Sequence, residues 1–73
     1  MTYHINDDQP ACFNRAIQAG ILSSNPDAEN FAGNYMYMFS DYDPLGGYPR
    51  DHFKHHETRR YVHNLQTGYV TIS

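Results

Sequence analysis

The sequence predicts an α+β fold: a small antiparallel sheet of three or four strands with one helix packed on a face. Three observations carry this. One amphipathic stretch near the front has helical spacing. A run of alternating aromatic and methionine residues, Tyr35 to Phe39, has the two-residue period of a strand. A turn rich in Asp, Pro and Gly (residues 41–49) follows that run and folds the chain back on itself. The chain has 73 residues, which makes one domain (1–73), with no repeat, linker or low-complexity tract.

In order, Thr2-Tyr3-His4-Ile5 is a short strand candidate, rich in β-formers. Asp7 or Asp8 then caps a helix over residues 9–19, with Pro10 suited to its first turn. Phe13, Ala16, Ile17 and Gly20 fall on one side of it; Asn14, Arg15 and Gln18 fall on the other. Gly20 fits the left-handed position beyond the last turn. Ile21 and Leu22 return to the core, and residues 23–30 form a loop or a short helical turn begun at Pro26. In the aromatic strand Tyr35, Tyr37 and Phe39 point one way and Met36 and Met38 the other, so both faces are apolar and the strand is central. Residues 51–65 are ambiguous. Phe53, Tyr61 and Leu65 are spaced by multiples of four, as in a helix. Thr58, Val62 and the preceding turn favour a strand through about His56, and the strand is adopted here. Thr67-Gly68 reads as a turn and Tyr69 to Ile72 as a closing strand.

Composition narrows the function classes. The single cysteine, Cys12, has no internal partner for a disulfide, which points to a reducing cytoplasm. No apolar run approaches the roughly 20 residues that span a bilayer. The first residues lack the basic and apolar regions of a signal peptide. The formal charge of −3 is unevenly spread: residues 1–49 hold six acids against Arg15 alone, while Arg50, Lys54, Arg59 and Arg60 oppose only Asp51 and Glu57 beyond them.

No catalytic arrangement is visible. Ser23, Ser24 and Cys12 sit in no nucleophile motif, and Asp41 and Asp43 read as turn aspartates that bind backbone N–H groups. Gly46-Gly47 lacks the spacing of a phosphate loop. A chain this short also has difficulty enclosing a pocket of a few hundred Å3. An enzyme is therefore not expected, and no cofactor is assigned. His52, His55, His56 and His63 offer imidazoles that zinc accepts, but without paired cysteines or helical spacing. They read as surface or interface histidines, with no metal site assigned and a zinc- or pH-sensitive module left as an alternative.

The segment 34–62 holds five of the seven tyrosines and four of the five Lys/Arg residues. Tyr35, Lys54, His56, Arg59, Arg60 and Tyr61 are the candidate partner-binding residues. Arg and Lys neutralise carboxylate or phosphate, and Tyr stacks on bases or anchors a protein interface. On a continuous strand Lys54, His56 and Arg60 share one face, and Phe53, Arg59 and Tyr61 the other. Tyr37, Phe39 and Phe53 are the expected core members.

Gly33 to Met38 (G-N-Y-M-Y-M), Asp51 to Tyr61 (D-x-F-K-H-x-x-T-R-x-Y) and Ala19 to Pro26 together resemble short phage- and prophage-encoded proteins over about half the chain. That group includes anti-CRISPR and other anti-defence inhibitors. The resemblance implies a stoichiometric inhibitor in the cytoplasm of a bacterial host, with a host protein or nucleoprotein complex as partner. It carries no residue roles with it. A small nucleic-acid-binding module is the alternative, and a homodimer is compatible with either.

Overall fold

The structure is a computed structural model that describes residues 3–66. Strand β1 (Tyr3–His4) leads into helix α1 (Gln9–Gln18). After a loop and a short 3-10 turn (Ala32–Asn34) come β2 (Tyr35–Tyr42), β3 (Pro49–His55) and β4 (Tyr61–Leu65). The four strands form one antiparallel sheet in the order β1-β2-β3-β4, with α1 on one face, as the α+β reading expects. The expected turn at Thr67-Gly68 and strand at Tyr69 to Ile72 lie outside the described residues.

The helix begins and ends where its local chemistry dictates. The Asp8 carboxylate accepts the Ala11 N–H at 3.3 Å, and Pro10 occupies the first turn. At the other end Gly20 has φ +82°. Its N–H reaches the Ile17 carbonyl at 3.1 Å, and the Ile21 N–H reaches that of Ala16 at 2.9 Å. This pair of bonds is a Schellman motif, and it needs the left-handed residue that glycine supplies without a Cβ penalty. The chain therefore turns back at once and drives Leu22 into the core. Pro26 lies in a turn and starts no helix.

The core is small: Cys12, Ala16, Leu22 and Phe53 are buried, with Phe13, Ile17, Tyr35, Tyr37 and Val62 packed partly against them. Phe53 is fully enclosed, tilted against Phe13 at 4.9 Å and edge-on to Tyr37 at 6.0 Å. Two expected core members thus face the helix. The third, Phe39, does not. The register of β2 against β3 slips between Tyr37 and Phe39, where Met38 bulges. An extra residue in one strand reverses the facing of everything beyond it. Tyr37 pairs with inward Phe53, whereas Phe39 pairs with outward His52. The expectation that Tyr35, Tyr37 and Phe39 share a face is corrected accordingly.

The ambiguous segment is two strands joined by a turn, not one strand. The turn spans residues 56–60, between the end of β3 and the start of β4. His55 Nδ1 accepts the N–H groups of Glu57 and Thr58, both at 3.1 Å. The His55 carbonyl accepts from Arg59 at 2.9 Å, and the His55 N–H donates to the Arg60 carbonyl at 2.8 Å. Closing this turn requires φ +65° at Arg59, the sole non-glycine residue with positive φ among the described residues. That conformation costs an L-residue about 1–2 kcal/mol, part of which glycine would return through its greater freedom when unfolded. Arg59→Gly is expected to raise stability by about 0.5 kcal/mol, measured as an upward shift of the urea midpoint with unchanged slope.

Candidate functional site: the uncovered face of the sheet

Strand β3 alternates without interruption. Asp51 and Phe53 point at the helix, so Arg50, His52 and Lys54 point away from it. Directly opposed residues share a face, so the register assembles three rungs across the outer side. Met36, Lys54 and Tyr61 form the first. Phe39, His52 and His63 form the second. Asp41, Arg50 and Leu65 form the third, continued by Tyr3 of β1. No described element covers this face.

The middle rung is a row of rings that crosses the sheet. Tyr3 meets Phe39 edge-on at 5.3 Å, Phe39 stacks on His52 at 4.4 Å, and His52 lies 5.8 Å from His63. Lys54 Nζ stands 5.8 Å from the centre of the Tyr61 ring, within cation–π range. Tyr3, Met36, Tyr61 and Leu65 are exposed around this row.

Asp41 fixes the third rung and the middle one together. It is only 3% exposed. Its carboxylate accepts Arg50 Nε and Nη2, each at 2.9 Å, and His52 Nε2–H at 2.9 Å. The Arg50 bonds dominate and His52 adds to them; together they outweigh burial and hold the Asp41 carboxyl well below the usual carboxylate range. Asp41 is thus a strand residue that anchors two outward cations or donors, not a turn residue. Asp43 does have the expected turn role, accepting the Gly46 N–H at 2.6 Å.

A second polar cluster lies between helix and sheet. Asp51, 1% exposed, accepts Ser40 Oγ at 2.7 Å, Arg15 Nη2 at 3.1 Å and Gln66 Nε2 at 3.0 Å. The Tyr37 hydroxyl lies 2.7 Å from Ser40 Oγ and accepts the Asn6 N–H at 2.9 Å. Within this chain Arg15 fastens α1, and Asn6 its leading loop, to the sheet. Cys12 sits beside it, its sulfur accepting Arg15 Nη2 at 3.3 Å. Burial, joined by the Asp51 charge, pushes the thiol up despite Arg15, which favours its protonated form.

The sequence-derived site residues do not form one surface. Lys54 and Tyr61 are neighbours on the uncovered face. Tyr35 lies on the helix side, edge-on to His55 at 5.0 Å. His56 and Arg59 are exposed in the turn, His56 stacked beside His55 at 5.6 Å. Arg60 is exposed at the end of that turn and lines a cleft with Tyr35. The shared face assigned to Lys54, His56 and Arg60 is overturned because the strand ends at His55. Phe53 and Tyr61, placed together by the same count, are on opposite sides. Residues not named as partner-binding candidates from sequence (Tyr3, Met36, Phe39, Arg50, His52, His63) make up most of the uncovered face. The alternation in Arg50-Asp51-His52-Phe53-Lys54 was the signal for two of them, Arg50 and His52.

Among the described residues, no three His, Cys, Asp or Glu side chains converge as metal ligands would, and no helix is long and apolar enough to cross a membrane. No protein-family model, curated protein or solved structure matches the chain.

Proposed function

We propose that this chain is a stoichiometric binding module of the anti-CRISPR-like kind, which occludes a host nucleoprotein effector in a bacterial cytoplasm without catalysis, and that the uncovered sheet face makes the contact. The observation behind this is the composition and rigidity of that face. Tyr, Met and Arg are the residue types that interface cores favour. Here Tyr3, Met36 and Tyr61 stand exposed around a ring row that Asp41 and Arg50 hold in place. A pre-ordered surface loses little side-chain entropy on docking, which is how a small patch reaches useful affinity. Of the segments that carry the phage-type resemblance, Tyr35–Met38 lies on β2 and Asp51–His55 on β3, two of the strands that build the face.

The partner is expected to be protein more than nucleic acid. Arg50 is already paired with Asp41, which leaves Lys54 as the one unpaired formal cation among the three rungs. Phosphate neutralisation supplies most non-specific nucleic-acid affinity, so one lysine gives little. The stripe Arg50-His52-Lys54 beside Tyr61 does favour single-stranded nucleic acid as a second reading, through stacking with weak charge contacts.

Affinity capture from host lysate, followed by mass spectrometry, tests the first reading; failure to recover any stable partner removes it. Once the partner is known, Tyr61→Ala is expected to weaken binding by about 2 kcal/mol, roughly thirtyfold in Kd. Arg60→Ala, off this face, leaves Kd within about twofold. Equal losses at both positions would show that the face is misassigned. Fluorescence anisotropy with single-stranded oligonucleotides at low salt decides the second reading, which ends if no binding is seen.

A further inference from the structure

A second polar surface lies away from the uncovered face. The β3–β4 turn and the loop after α1 together border an open cleft of about 560 Å3, lined by Glu29, Asn30, Tyr35, His55, Thr58 and Arg60. That volume is within the range of small-molecule sites. We propose that this cleft binds a small zwitterion, an amino acid or short peptide, with Arg60 taking its carboxylate and Glu29 its ammonium group.

Charge is the first argument. The cleft holds one formal cation and one formal anion, and neither has a charge partner among the described residues. Among the described residues no side chain pairs with the Arg60 guanidinium or the Glu29 carboxylate, so both charges are free to meet a ligand in the cleft. The two line one cleft and yet do not meet within ion-pair distance of each other. A ligand with separated opposite charges satisfies both; a simple anion would face Glu29 unpaired, and a simple cation would face Arg60.

Donor chemistry is the second. His55 Nδ1 accepts two backbone N–H groups, so the neutral ring carries its proton on Nε2. That N–H and the Tyr35 hydroxyl add donors near Arg60 for a carboxylate. Asn30 commits its Nδ2 to the Ile21 carbonyl at 3.2 Å, which leaves its amide oxygen to accept from an ammonium group beside Glu29.

Rigidity is the third. Both walls are fixed before any ligand arrives. The Asn30 carbonyl accepts the Ser23 N–H at 2.9 Å, and Arg60 N–H donates to Thr58 Oγ1 at 3.3 Å. The His56 N–H ties the turn to the Asn34 carbonyl at 3.1 Å. The left-handed Arg59 sits immediately before Arg60 and sets the path of the chain there. Backbone strain of this kind gathers at binding sites, where surrounding bonds hold it in place.

The test is a 1H–15N correlation titration of the intact chain with L-glutamine and with the dipeptide glycyl-L-phenylalanine. N-acetyl-L-glutamine, L-glutamine amide and inorganic phosphate serve as controls. Saturable shifts are expected at Glu29, Asn30 and His55 to Tyr61, with none across Phe39, His52 and His63. Loss of either ligand charge, or Arg60→Gln or Glu29→Gln in the protein, should weaken binding at least about tenfold. Both side chains are exposed, so an unchanged melting curve verifies that the variants fold. The proposal is overturned if neither zwitterion shifts these resonances by about 10 mM, a limit weaker than a millimolar site. It is equally overturned if phosphate or the acetylated compound binds as well as the zwitterion, which would reduce the cleft to an anion contact at Arg60.

Discussion

Replacing Arg15 with methionine is expected to destabilise the protein by about 2–3 kcal/mol, less than for a fully buried pair because the arginine side chain is 36% exposed. That is a large share of what a chain of this length has to lose, so the variant should melt well below the wild type. Methionine keeps most of the apolar stem of the arginine and removes the charge. What remains is the Asp51 carboxylate, 1% exposed, held by Ser40 and Gln66 but without a cation. A buried charge stripped of its partner is the costly case; a pair replaced by neutral groups is not. Arg15→Met with Asp51→Asn should therefore regain most of the loss, since an asparagine oxygen still accepts from Ser40. Urea denaturation followed by circular dichroism reads both. A double variant no more stable than Arg15→Met alone would show that the arginine acts through packing.

The same residue explains why part of the fold was illegible in the sequence. Helix α1 was readable because each signal was local: Asp8 before it, Pro10 inside it, Gly20 after it. The hairpin of β2 and β3 was readable for the same reason, through Asp43, Gly46 and Gly47. Asp51 carries no such mark. An aspartate between Arg50 and His52 looks solvated, and only its distance from Arg15 and Ser40 in space makes it a buried node. The β3–β4 turn was hidden differently. Turns are read from Gly, Pro, Asn and Asp, and residues 56–60 contain none of them. The chain uses Arg59 in a conformation that arginine disfavours, and His55 supplies the acceptor that a turn residue would otherwise provide.

The bulge at Met38 had the largest effect on the candidate site. Strict alternation from Tyr35 places Phe39 inside. The extra residue places it outside, beneath Tyr3 and beside His52. Without the slip, Asp41 would face the helix and the ring row would lose its centre. The aromatic content of the segment was visible from the start; its division between the core and the uncovered face was set by one register shift. Lys54 and Tyr61, placed on opposite faces by the continuous-strand count, meet on the uncovered face because the turn after His55 pairs β3 with β4, while Arg60 goes to the cleft.

Asp41→Asn is expected to cost about 2–3 kcal/mol at neutral pH, the range for charge-assisted hydrogen bonds, reduced from a full three-bond loss because Arg50 is partly in water. On a chain of this size that lowers Tm by roughly 10 °C or more. The pH dependence separates this from a packing effect. In the unfolded chain Asp41 has the ordinary pKa of about 3.9; in the fold Arg50 and His52 hold it lower. Between the two values the unfolded state binds more protons, so stability rises with pH there. Asp41's contribution is complete above about pH 5 and is lost as pH falls below about 4 toward the folded value. The asparagine variant has no such group to protonate. Thermal melts from about pH 7 down to pH 2 should therefore show a wide gap between wild type and variant near neutrality that narrows steadily below pH 4. A gap of constant size across that range would mean that Asp41 supports the sheet by shape alone. A gap that closes would place its charge, through Arg50 and His52, at the base of the ring row.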